Sequence, residues 1–563
     1  MSTSTGISSL HDEEIEFEIR EALREPPPAD FKPSLRLYLA FLTLAVITMA
    51  VALDGTSLSV ALPIISEKLK GTAIEAFWSG TSFLLCSTIF QPSFASFSHI
   101  FGRKPVIMVA LLLFLVGAII AAVANGFAVL LVGRSLQGVG GGGLIALTEI
   151  VVTDLVPLRV RGKWFGIISG MWSLGSVTGP VIGGAFAQNV SWRWIFYINL
   201  PIIGVAFVFV PLFLKLNFKP SNLTSQLRRV DWLGSILFIG STTSFLIPIT
   251  WGGVTYAWSS WRTLVPLLIG LTGLTSFIIY EEFLTTEPLI PLTVFKNRTA
   301  AVSYLGTTIH GMILWCLLYY LPLYYEAVKG ETPILSGVSL FPQTFTVAPA
   351  AVIVGILVSK TGRYRWAVWT GWLLTTLGTA LLYLLDVPTP TPSRILLNLV
   401  SGLGTGMLFA GMAFAIQASA SNKDLAFAVA MFSFFRAFGQ ALGVALGGTV
   451  FQNQIKARLR TYPALASNAE QYSRDAAALV QIIKDFPREG ADAKGLLVKS
   501  YADALKVVWL TMCGLSAVAM VASAWTVGLD MDRPLETEQG FWVERERRRR
   551  ESEALGERKV SAV

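Results

Sequence analysis

Gly175-Ser-Val-Thr-Gly179-Pro180-Val-Ile-Gly183-Gly184 is the stretch whose reading decides the fold. Gly175, Gly179 and Gly183 stand at i, i+4 and i+8, so a helix carries all three on one face. The flanks from Trp164 to Phe186 are apolar, which places the helix in lipid, where a glycine face lets a neighbouring helix approach to backbone contact. Pro180 removes one backbone donor and predicts a bend. The spacing returns at Gly439-Gln-Ala-Leu-Gly443-Val-Ala-Leu-Gly447-Gly448, with every glycine kept and the proline lost. One such stripe reads as an ordinary helix seam. Two predict two copies of one helical bundle facing each other, with the stripes giving close sliding contact between the halves.

Other segments recur at nearly the same offset. Ala95–Lys104 matches Gly355–Arg365 at 260 residues, Gly138-Val-Gly140-Gly-Gly142 matches Gly402-Leu-Gly404-Thr-Gly406 at 264, and Gly179 matches Gly443 at 264. The chain is 53% hydrophobic and 14% charged, against roughly 25% charged residues in soluble domains. An all-α polytopic membrane protein follows. Fourteen apolar segments are long enough to span, at about 38–62, 76–98, 105–124, 127–152, 164–188, 194–215, 232–251, 264–282, 299–325, 336–359, 366–386, 395–419, 427–451 and 505–528. Two six-helix lobes, 37–216 and 299–528, then flank a linker, 217–298, that carries two extra spans. Such halves enclose a substrate site near the midplane and rock against each other.

The short loops on one side hold 15 Lys and Arg, among them Arg103, Lys104, Arg159, Arg161 and Lys163, and those on the other side hold 6. The richer side is the cytosol, so both termini are expected there: an acidic disordered tail over 1–36 and a basic tail over 529–563 that ends in Arg545–Arg550. Loop 452–504 is then extracellular, and its Asp475–Ile483 pattern predicts a short amphipathic helix lying on the membrane. The net charge of +8 is distributed for anionic lipid rather than nucleic acid. Cys86, Cys316 and Cys513 all fall in apolar runs and form no disulfide framework. Gly138–Gly143 fits GxGxxG, but it lies in an apolar helical run without the required βαβ context and reads as close packing. No GxxxxGK[ST] and no His/Cys cluster occurs, so neither a built-in ATP motor nor a metal is expected. No nucleophile–base constellation marks an enzyme.

Ionisable groups inside spans cost about 2.5–3.5 kcal/mol each and are therefore candidates for function. Asp54, deep in the first span, suits proton coupling or a cationic part of the substrate. Hydrogen bonds to backbone near Gly55 and Thr56 are the plainer alternative. Arg134, at the outer end of the fourth span, either tunes a carboxylate or snorkels to the interface. Glu149 lies about four turns further in, too far to pair with Arg134, and is a proton site or a loop anchor. Arg436 and Gln440 share a face of the thirteenth span, and a buried Arg436 needs a partner. His310 is alone in the ninth span, as a packing histidine or a proton relay. Trp78, Trp172, Trp315, Tyr319 and Tyr320 are candidate cavity aromatics.

Taken together, Leu53-Asp54-Gly-Thr56, Gly102-Arg103-Lys104-Pro105, Arg134-Ser-Leu-Gln137-Gly138-Val-Gly140, Asp154–Gly162, Gly175–Gly184, Trp192–Pro201 and Phe434–Gly439 resemble the major facilitator superfamily. The similarity is greatest to the fourteen-spanner drug:proton antiporter branch as found in fungi. The resemblance covers roughly 38–530. It implies a monomeric plasma-membrane exporter of hydrophobic small molecules (drugs, fungicides, toxins) that needs no cofactor beyond the proton gradient. It assigns Arg134 to proton transfer and Gly175–Gly184 to the antiporter motif. Where the family has Gly and Asp, this chain has Ala95 and His99. The missing anion leaves Arg103 to pair with Asp154, giving a looser or pH-sensitive latch. An importer of the same fold and a transporter-like receptor signalling through its tails are the alternative readings.

Overall fold

The computed structural model describes residues 33–531, except 59, 72, 218–221, 254–255, 474–475 and 487–490, together with Gly540. The acidic segment 1–32, the arginine run 545–550 and Asp475 lie outside the described residues.

Every named element among these residues is helical. The first lobe comprises α1 (Leu35–Ser57), α2 (Ala73–Ile89), α3 (Gln91–Phe101), α4 (Arg103–Ala122), α5 (Phe127–Leu155), α6 (Arg161–Asn189) and α7 (Asn199–Phe213). The inserted pair is α8 (Trp232–Trp251) and α9 (Trp261–Phe283). The second lobe comprises α10 (Arg298–Val328), α11 (Phe341–Thr361), α12 (Arg365–Leu381), α13 (Thr391–Ser419), α14 (Leu425–Arg460), α15 (Ala476–Lys484) and α16 (Ala491–Ser523).

Thirteen helices among the described residues are long and apolar enough to cross a membrane. The remaining expected segment, the second at 76–98, is divided. Pro92 has no N–H to continue the ladder, and the chain breaks at Phe90 into α2 and α3. Packing repeats between lobes. In the first, α1 packs on α6, α4 on α5, α2 on α5, and α7 on α1 and α4. In the second, α10 packs on α14, α12 on α13, α11 on α13, and α16 on α10 and α12. The α8–α9 hairpin lies at the periphery, where α8 bridges α2 and α14.

The glycine stripes are not the seam between the lobes. A Cβ at Gly175, Gly179 or Gly183 would meet α1, at Ala52, Thr56 and the Ser57 carbonyl respectively. A Cβ at Gly439, Gly443 or Gly447 would meet α10, at Thr308, Met312 and the Tyr320–Cys316 pair. Each stripe closes its own lobe, first span against fifth and ninth against thirteenth. The periodicity identifies a face that touches backbone, but the contacting helix is chosen by lobe topology. Pro180 lies within α6 and Gly184 near Ile334. The inter-lobe glycines are Gly162, Gly166 and Gly355: a Cβ on Gly162 would stand 2.5 Å from the Gly355 Cα, and one on Gly166 2.5 Å from Val352. In α5, Gly138 and Gly142 abut the backbone of α2, and Gly140 that of α4.

The expected membrane-surface helix is also corrected. The apolar face of α15 is buried in protein: Leu479, Val480 and Ile483 are each at most 4% exposed. Their helix packs on α10, α14 and α16, and Lys484 Nζ pairs with Glu326 of α10 at 3.0 Å. Amphipathicity marks an apolar face without stating whether lipid or protein covers it. Beside it, Asp386 takes Lys499 Nζ at 2.8 Å and Lys506 Nζ at 2.6 Å, tying the turn after α12 to α16. Burial pulls the Asp386 carboxyl up, but the two ammonium groups outweigh it and hold the carboxyl below the usual aspartate range. A depressed folded value stabilises above the unfolded value, about 3.9, and the gain is lost as pH falls through the folded one. Asp386→Asn is therefore expected to lower the melting temperature at pH 7, with the deficit shrinking below about pH 3.9. Thermal melts of both proteins across that range check it.

Candidate functional site

Two buried charge pairs stand out, one inside the first lobe and one between lobes. Asp54 opens the last turn of α1 and is 0% exposed. Arg134 Nη1 reaches its Oδ2 at 2.5 Å. Gln137 Nε2 and Asn199 Nδ2 donate to its Oδ1 at 3.0 and 2.8 Å. Arg134 also donates from Nε to the Ser79 carbonyl (3.0 Å) and from Nη1 to Gln137 Oε1 (2.9 Å), and it lies 4.4 Å from the Phe83 ring centroid. Arg134 and Gln137 sit at i, i+3 on one face of α5, while α1, α2 and α7 supply the rest.

Asp54 thus turns to α5 and α7 rather than to backbone near Thr56, and Arg134 is sealed in protein rather than snorkelling. Asn199 was missed as a site residue. Its signal was an amide opening an apolar span directly after the aromatic run Trp192–Tyr197. In the second lobe the equivalent place is neutral: Asn398 Nδ2 donates to Tyr325 Oη at 2.8 Å, and Ser401 donates to Gln343.

The second pair is Glu149 of α5 with Arg436 of α14, Nη2 to Oε1 at 3.0 Å. Ser433, one turn before Arg436, donates to the other Glu149 oxygen. This supplies the partner that Arg436 requires. Glu149 and Arg134 lie about 22 Å apart along α5 at 1.5 Å per residue, so the two pairs are separate. Gln440 is half-buried one turn on from Arg436. His310 is buried with Nε2 3.0 Å from the Thr405 carbonyl, a packing contact to α13. Tyr320 is buried and donates to the Val444 carbonyl, and Trp78 stands edge-on to Trp251; Trp172, Trp315 and Tyr319 are half-buried.

At the proximal face of the bundle, where α1 begins, the lobes are closed on each other. Arg161 Nη1 donates to Gln417 Oε1 at 2.8 Å and Arg159 Nε to the Ser359 carbonyl at 3.0 Å. Gly102 holds φ +90°, which favours glycine, and this turn aims Arg103 at Asp154 (2.9 Å) and at Ser98 Oγ (3.0 Å). The Arg103–Asp154 pairing expected from the substitution at His99 is present. The His99 ring instead faces Phe427 of α14, 5.6 Å between centroids. Lys104 donates to the Pro211 carbonyl.

A paired helical bundle with buried ion pairs is shared by many membrane proteins; the sequence match separates them. The family model described as Major Facilitator Superfamily matches residues 44–444. The chain belongs to the Major Facilitator Superfamily. It is 59% identical over 516 residues to MFS transporter L2 of Phoma sp., covering 92% of this chain and 86% of that one. It is 38% identical to efflux pump FUS6 of Gibberella moniliformis (92% and 93% covered) and 34% to efflux pump dotC of Dothistroma septosporum (87% and 84% covered). Among solved structures, the human organic anion transporter MFSD10 aligns with TM-score 0.54 at 14% identity, covering 88% of this chain and 100% of that one. The proton:xylose symporter XylE aligns at 0.52 and 12%, covering 80% and 95%. These last two support the fold alone. The protein is a multi-pass membrane protein of this superfamily, similar along most of its length to fungal proteins named as MFS transporters and efflux pumps.

Proposed function

We propose that the protein is a proton-coupled antiporter that exports hydrophobic small molecules from the cytosol by alternating access. On this reading it acts in the plasma membrane as a monomer, with both termini and the closed proximal face on the cytosolic side. The observation that carries the proton reading is the Asp54–Arg134 pair. A carboxylate with no solvent exposure, held by one guanidinium and two amides, is a place where a single proton changes the charge of a lobe. The guanidinium stays protonated, so Asp54 is the proton's place and Arg134 its counter-charge. Efflux names among the fungal relatives support the direction of transport. A membrane potential supplies about 2.3 kcal/mol per charge per 100 mV.

The test is accumulation of a panel of hydrophobic fluorescent compounds in inside-out vesicles containing the full chain, with a pH gradient imposed and then collapsed by a protonophore. Accumulation that collapses with the gradient is expected. Equal movement with and without it overturns the proton reading.

A further inference from the structure

The Glu149–Arg436 pair has features that a structural ion pair does not need. Arg436 gives only Nη2 to Glu149; its Nε and Nη1 make no hydrogen bond among the described residues. Its side chain is 15% exposed, against 6% for Glu149. The guanidinium carbon lies 4.7 Å from the Phe409 ring centroid and 5.4 Å from that of Phe432. Gln440, on the same face one turn away, is half-buried, and its amide makes no hydrogen bond among the described residues. An accessible guanidinium with spare donors, flanked by aromatic rings and an idle amide, suits a flat apolar molecule that carries one anionic oxygen. Glu149 belongs to one lobe and Arg436 to the other, and they meet here with the proximal face closed by Arg159, Arg161 and Gly162. A movement that opened that face would part them.

We propose that Arg436 is the recognition point for hydrophobic acids, namely molecules bearing a carboxylate or acidic enol, and that Glu149 is a built-in competitor for it. With the lobes parted proximally, Arg436 takes the anionic oxygen of the cargo while the rings of Phe409 and Phe432 cover its apolar part. When the lobes close, the Glu149 carboxylate, steadied by Ser433, replaces the cargo's oxygen and expels it toward the distal side. While Arg436 holds the cargo, the Glu149 carboxylate faces the water that fills the parted proximal side, and on closing it regains Arg436, so it is not buried unpaired. This rests on the export reading above, but it requires no proton on Glu149.

The test is equilibrium binding of 1-pyrenebutyrate, and of its neutral methyl ester, to the full-length protein in lipid nanodiscs. Binding is read by quenching of tryptophan fluorescence with empty discs subtracted. Glu149→Gln is expected to tighten binding of the acid about tenfold, the loss of one competing charge-assisted hydrogen bond, and to leave the ester unchanged. Arg436→Gln is expected to remove the preference for acid over ester, and Arg436→Lys to keep part of it. An unchanged or weakened acid affinity in Glu149→Gln overturns the proposal, as does an acid preference that survives Arg436→Gln. If Arg436→Gln does not fold, Glu149→Gln and Arg436→Lys decide. No gradient is applied, so failure of proton coupling in vesicles leaves these outcomes intact, and the reverse also holds.

Discussion

Arg134→Leu is expected to yield almost no folded protein, whereas Asp54→Asn folds but loses gradient-driven export. The difference follows from which charge is left behind. Arg134 is fully buried and is, among the described residues, the only cation bonded to Asp54. Removing it strands a carboxylate among Gln137, Asn199 and apolar rings. Breaking a buried pair from one side costs about 3–5 kcal/mol, a large part of the 5–15 kcal/mol available to a typical domain. Asp54→Asn keeps an acceptor oxygen for Arg134, which also retains the Ser79 carbonyl and Gln137. Its stability loss is smaller, and the titratable group is gone. The double variant Asp54→Asn/Arg134→Gln removes both charges and is expected to fold again without coupling. Detergent-solubilised melting curves and vesicle assays of the three variants check this. A well-folded Arg134→Leu, or normal pumping by Asp54→Asn across pH 5–8, contradicts it.

The second large effect concerns the glycine seams. Gly183→Leu and Gly439→Leu are each expected to cost at least about 3 kcal/mol, the upper range for overpacked interiors, because the first added carbon would already fall on the carbonyl of Ser57 or Thr308. A backbone carbonyl cannot swing aside as a side chain can, so the two helices must separate along their length. Gly170→Ala and Gly514→Ala provide the opposite sign. Nothing lies within 4 Å of a Cβ at either, and both stand in helix interiors where alanine is favoured by about 0.8–1.0 kcal/mol. Melting temperatures of the four purified variants should split into two strongly lowered and two level or raised.

Much of the architecture was legible because hydrophobic run length and the glycine spacing are both local. The Pro92 break was equally local, but in lipid a proline within an apolar run is compatible with a continuous span, so run length alone could not decide. What was not legible was who meets whom. The i, i+4, i+8 stripe fixed a face and left open whether α1 or the opposite lobe filled it. Asp54 lies 80 residues from Arg134 and Glu149 lies 287 from Arg436, separations at which a single sequence holds no pairing signal. Each residue was recognisable singly because a charge in lipid demands a reason. Its partner emerged only with the helices in place. The 475–483 pattern failed for a related reason: protein and lipid are both apolar solvents for Leu479 and Ile483.

Because the two glycine stripes close within each lobe, neither lobe has slack of its own along its first and fifth helices. Any opening of the bundle is a displacement of lobes as undivided blocks, and its cost is set at the proximal rim. There the fastening includes bonds from Arg159 to a carbonyl and from Arg161 to an amide, each worth up to about 3 kcal/mol where charged, together with the close packing of Gly162 on Gly355 and, further in, the Glu149–Arg436 pair. Sturdy halves joined through this limited set of contacts make a molecule that opens by parting them while the interior of either half stays shut.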